Sequence, residues 1–120
     1  MFKLEKSCTI EVGHYLPDHP GKCKQLHGHS IHVTVRCAAK ELNEQGMVVD
    51  FGDIKKVIEQ YDHKCLNELP QFENLPPTSE HLARIIAREL FMEGLDFLEV
   101  EVQETENSTV TYVLMDRHND

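Results

Sequence analysis

The chain reads as an α+β domain: an antiparallel four-stranded sheet with two helices on one face, in the order strand, strand, helix, helix, strand, strand. Three observations lead there. Two stretches of apolar/polar alternation open the chain, two stretches at helical spacing fill its middle, and alternation returns near its end. With 120 residues and 40% hydrophobic content it holds one compact core, so residues 1–120 are read as a single domain.

Phe2, Leu4, Cys8, Ile10 and Val12 alternate with polar residues, the period of a half-buried strand, and His14 continues their parity. After a loop with Pro17, Pro20 and Gly21, a second strand runs through Ile31, Val33, Val35 and Cys37, with Ser30, His32, Thr34 and Arg36 on its other face. His27 and His29 share the apolar parity. Asn43 to Gly46 reads as a turn, and Met47-Val48-Val49 as a short strand remnant before Asp50.

From Asp53 the period changes. Ile54, Val57, Ile58 and Tyr61 fall on one helix face, predicting a helix that ends near Asp62. The short Leu75-Pro76-Pro77 stretch reads as a loop between helices. A second helix starts at Thr78 or Ser79 as N-cap, presents Leu82, Ile85, Ile86 and Leu90, and stops at Gly94. Leu98, Val100 and Val102 then share a strand face that Glu104 continues, and Thr109 to Met115 form the partner strand after an Asn107-Ser108 turn.

The net charge of −9 is spread along the chain without an acidic block, which reads as a solvated surface and argues against a nucleic-acid partner. No apolar run approaches a bilayer span, and the charged MFKLEKSCTIEV start is unlike a signal peptide, so a cytoplasmic location without membrane contact is expected. The four cysteines are then expected as thiols, and they form no CxxC pair.

Residues i and i+2 of a strand face the same way, so the imidazoles of His27 and His29 project side by side, with Gly28 leaving the other face open. If the first two strands pair antiparallel, His14 lies opposite the start of the second. Three imidazoles with no fourth protein ligand form the donor set of a catalytic zinc ion, which keeps a position open. His32 points away; Glu11 and Asp18 are candidates to close the site or to orient an imidazole. The same pattern is compatible with histidines at the surface ends of two strands.

KCKQLHGHS, VVDFGDIK, YDHKCLNELPQFENLPPTSEHLA and VEVQETENSTVTY together resemble the 6-pyruvoyltetrahydropterin synthase and 6-carboxytetrahydropterin synthase family, over about His14 to Tyr112. The CxxxHGH form, Cys23 to His29, is similar to the bacterial 6-carboxytetrahydropterin synthases of queuosine biosynthesis. The resemblance implies a zinc-dependent lyase that converts 7,8-dihydroneopterin triphosphate to 6-carboxytetrahydropterin, releasing acetaldehyde and triphosphate. It implies zinc ligation by His14, His27 and His29, a catalytic base at Cys23, an acid–base pair at Asp62 and His63, and a pterin anchor at Glu104. It also implies a tunnelling fold in which three subunits close their sheets into a barrel, two barrels stack as a hexamer, and each active site lies between subunits. The chain departs from the family's usual pattern at Val12-Gly13, Pro76-Pro77 and Val110.

These roles agree with the chemistry of the side chains. Lys22, Lys24 and a nearby metal would lower the pKa of Cys23, whereas Cys8 and Cys37 sit on apolar parity as inert core thiols and Cys65 as a partly buried helix-end residue. His63 moves protons near neutral pH, and Asp62 can orient it. Glu104 enters a sheltered region where its carboxylate needs paired N–H donors such as those of a pterin ring. Thr78, Ser79 and Glu80 cap the second helix and are secondary candidates for substrate contact. Lys22, Lys24 and Lys64 are candidates to neutralise a triphosphate. The rival readings are a pyruvoyl-forming synthase or a folate-pathway side-chain lyase and, from another class, a non-catalytic zinc- or pterin-binding oligomer.

Overall fold

The structure, a computed structural model, describes residues 1–15 and 27–117, with residue 27 described by its backbone alone. Five strands form one sheet in the order β3-β1-β2-β4-β5. Strands β1 (Phe2–His14) and β2 (His27–Ala39) pair antiparallel along their full length, from Phe2 opposite Ala39 to His14 opposite His27. Strands β4 (Phe97–Thr105) and β5 (Ser108–Asp116) form an antiparallel hairpin beside β2.

The predicted α+β class holds, but the sheet has five strands and is mixed. Its extra strand, β3 (Lys64–Cys65), runs parallel to Val12 and Gly13 of β1. Two residues are too few to show a period, so the pairing has no signature in sequence. The remnant read at Met47 to Val49 is not a strand; the segment runs irregularly into the helix, burying Val49.

Helix α1 (Phe51–Glu59) starts two residues before the predicted Asp53, because the Asp50 side chain caps it by accepting from Gly52 N, and it ends at Glu59 rather than near Asp62. Helix α2 (Ser79–Leu90) is capped by Thr78, whose hydroxyl accepts from His81 N at 3.2 Å. It ends before Gly94, since Phe91 already has extended ψ; Gly94, at φ +95°, turns the chain toward β4 instead. The β4–β5 turn is Glu106-Asn107, one residue earlier than expected.

Both helices lie on one sheet face, as predicted, with α1 against β1 and α2 against β4 and β5. Ile54, Ile58 and Tyr61 meet Leu82, Ile86 and the sheet residues Ile10, Ile31, Val33, Val100 and Val102 in one buried cluster. Fully burying each of these large apolar side chains contributes about 1.5–3 kcal/mol. Cys37 belongs to this core, and burial pushes its thiol up to about 11.

Among the described residues no helix packs on the other sheet face, and its side chains pair across strands: Ser7 with Thr34 and Thr9 with His32, both at 2.9 Å, and Ser30 donating to Glu11 at 2.7 Å. Arg36 donates to Glu5, Glu99 and Glu101 at 2.6–3.0 Å. Period-two patterning thus separates an apolar face under the helices from a polar one. Both His14 and His29 belong to the apolar set.

Candidate active site

The helix-covered face ends, at the mouth of the β1–β2 pair, in two imidazoles. His14 is buried at 7% exposure, and its Nδ1 lies 2.9 Å from the Pro77 carbonyl oxygen. A carbonyl only accepts, so Nδ1 carries the proton, which in the neutral form of the ring leaves the lone pair at Nε2. The Nε2 of His29 lies 3.2 Å from that of His14, and the rings meet edge to face with centroids 4.9 Å apart.

Zinc–nitrogen bonds of 2.0–2.1 Å at a tetrahedral angle put two ligand nitrogens about 3.3 Å apart, so the His14–His29 spacing fits a shared zinc ion. The Nδ1 contact to a backbone carbonyl is also how ligand histidines are commonly oriented. Position 27 stands directly opposite His14 in the ladder. Its side chain lies outside the described residues, among which no cluster of three or more His, Cys, Asp or Glu groups converges as a metal site.

The cleft holding these imidazoles also contains Thr78, Ser79 and Glu104, and its free space is about 10 Å³, that of one water-sized particle. Glu104 ends the apolar row of β4, and its carboxylate accepts from the buried Ser79 hydroxyl at the first turn of α2. Thus α2 delivers Ser79, the segment before it delivers the Pro77 carbonyl, and three strands deliver His14, His29 and Glu104. Glu80 is exposed and does not line this cleft. Glu11 belongs to the opposite face, where it accepts from Ser30, and so neither completes the site nor orients its imidazoles; Asp18 lies outside the described residues.

Asp62 and His63 form a pair of their own at the sheet edge. Their contact, Nδ1 to Oδ2, is 3.1 Å. Neighbours within a helix could not face each other this way, but both residues follow α1, and His63 turns the chain at φ +59°. The backbone of Glu11 holds the turn: its N–H donates to Asp62 Oδ1 at 2.8 Å and its carbonyl accepts from His63 N at 2.6 Å. The Glu11 N–H, then the His63 imidazole, keep the Asp62 carboxyl below its ordinary range.

His63 is exposed and, together with His29, lines an open depression of about 640 Å³ over the cross-strand glycines Gly13 and Gly28. Lys64 and Cys65 line it too, so Cys65 occupies a strand beside β1 rather than a helix end. Cys23, Lys22 and Lys24 lie outside the described residues. The sequence reading missed the Pro77 carbonyl and Asn67, whose carboxamide accepts from Tyr15 N and donates to Tyr15 O, both at 2.9 Å. Neither contact follows from a period.

The chain is similar to known proteins over most of its length. The model of the family described as 6-pyruvoyl tetrahydropterin synthase matches residues 3–114. A Synechocystis protein named 6-carboxy-5,6,7,8-tetrahydropterin synthase is 38% identical over 122 residues, covering 93% of each chain. The Dictyostelium discoideum 6-pyruvoyl tetrahydrobiopterin synthase is also 38% identical, over 77% of this chain and 73% of its own. Among solved structures, the Caenorhabditis elegans 6-pyruvoyl tetrahydropterin synthase superposes with a TM-score of 0.75 at 25% identity, covering 93% of this chain and 94% of that one. A match that spans both sheet halves and both helices leaves one assignment: the chain belongs to the 6-pyruvoyl tetrahydropterin synthase family.

Proposed function

We propose that the chain is a zinc-dependent 6-carboxy-5,6,7,8-tetrahydropterin synthase, turning 7,8-dihydroneopterin triphosphate and water into 6-carboxytetrahydropterin, acetaldehyde and triphosphate for queuosine biosynthesis. The observation that carries this reading is the convergence of the His14 and His29 Nε2 atoms beside Glu104, in a chain of this family. His14, His27 and His29 would hold the metal. Bound there, zinc would supply Lewis-acid polarisation of the substrate's side-chain oxygens.

Glu104 binds the pterin through paired N–H donors, a charge-assisted arrangement that only an ionised carboxylate offers. Ser79 fixes that carboxylate. Cys23 removes the carbon-bound proton, and His63, oriented by Asp62, relays protons. Within one chain His63 lies at an exposed edge, which supports an active site shared between subunits. So do the open outer edge of β5 and the exposed Phe2 and Val113 on strands at or near the sheet margins, where sheets of a homo-oligomer, trimer or hexamer, would join.

Relatives carry both product names, so product mass decides between them. Zinc-loaded protein given 7,8-dihydroneopterin triphosphate is expected to yield 6-carboxytetrahydropterin and acetaldehyde by mass spectrometry. A pyruvoyl product would move the chain to the sister activity, and no turnover would favour a non-catalytic binding protein.

A further inference from the structure

The outer side of β1 is covered, around its metal-site end, by one short run of chain, residues 62–67. Asp62 and His63 take both backbone groups of Glu11. Lys64 and Cys65 pair with Val12 and Gly13. The chain then enters a tight turn, Leu66–Glu68, and its backbone can pair no further. At this point the Asn67 side chain takes over.

A carboxamide carries one acceptor oxygen and two N–H donors, so it can replace a peptide unit in a ladder. Asn67 does so: Oδ1 accepts from Tyr15 N and Nδ2 donates to Tyr15 O, each at 2.9 Å. His14 therefore sits between two anchored neighbours, the Gly13–Cys65 pair on one side and the Tyr15–Asn67 clamp on the other. Its ring is held separately by the Pro77 carbonyl. Asn67 does not line the imidazole cleft, so its effect on the site passes through the β1 backbone.

We propose that Asn67 is a positioning residue for the metal ligand His14, holding the end of β1 so that the His14 Nε2 stays within ligand spacing of His29. The inference rests on the metal reading of the site. Without the clamp the strand end past Gly13 loses two half-buried hydrogen bonds, and the ligand must be ordered by the ion itself, which lowers affinity.

The test compares metal-free wild type, Asn67→Ala and the isosteric Asn67→Asp, which keeps an acceptor but loses the donor. Zinc affinity is measured by competition with a chromophoric chelator, and the cobalt-loaded forms are compared by visible absorption. Loss of about tenfold or more in zinc affinity, with altered cobalt bands, is expected in the variants. Circular dichroism identifies which variants are folded. A folded variant with wild-type affinity and wild-type cobalt bands overturns the role of Asn67 alone. Wild type that takes up no stoichiometric zinc overturns the metal reading and this inference with it.

Discussion

At the residue scale, the site depends on which atom of each ring carries a proton and on what holds it. Pro77 sets the tautomer of His14, and the 3.2 Å approach of His29 completes a two-nitrogen set. His29→Ala is therefore expected to lose stoichiometric zinc, measured by elemental analysis of purified protein. Glu104→Gln keeps the shape of the proposed pterin anchor but removes its charge; charged hydrogen bonds contribute about 1.5–3 kcal/mol, so on that proposal KM should rise by roughly ten- to a hundredfold in steady-state assays. Asp62 gives a pH prediction. Its folded carboxyl is held below the ordinary range, first by the Glu11 N–H, so its contribution is present above about pH 3.9 and is lost as pH falls through the lower folded value. Urea stability measured from pH 5 down to pH 2 should fall less steeply in Asp62→Asn. The shared placement of His14, His29 and Glu104 was legible because strand parity put all three on the covered face. Asn67 was not, because its partner is fifty-two residues away and is backbone.

At the element scale, α2 links packing to chemistry. Its apolar face presents Leu82, Ala83, Ile86 and Ala87 to the core, and its first turn presents Ser79 to Glu104. Ile86→Ala should cost about 2–5 kcal/mol in chemical denaturation at fixed protein concentration, because Ile86 is fully buried and leaves a cavity. Sequence period located α1, α2, β1, β2, β4 and β5. It over-read Met47 to Val49, where Val48 and Val49 anchor an irregular segment. It also over-extended both helices: α1 was carried past Glu59, and α2 on to Gly94, whose positive φ serves the turn that follows.

At the scale of the whole molecule, one sheet face is sealed by helices and the other is a field of cross-strand polar pairs around Arg36. The exposed Asp62–His63 edge meets the imidazole pair at one point, since His63 and His29 line the same open depression, and an assembly of several copies would cover that depression. Sedimentation velocity is expected to give a multiple of the 13.8 kDa chain mass, three- or sixfold. A monomer at assay concentrations, with full turnover, would place the entire active site within one chain.

Alternation and helical spacing by themselves determined the α+β class, the covered face and the set of residues on it, because side-chain direction follows from local backbone period. The motif set added the family. Tertiary structure alone decided what local period cannot encode: the two-residue parallel strand β3, the left-handed turn that lets Asp62 meet His63, and the Pro77 carbonyl and Asn67 carboxamide that hold His14 and its neighbour Tyr15 in place. Each depends on contacts between segments roughly fifty to sixty residues apart or on a single residue's conformation, and neither leaves a repeating mark in the chain.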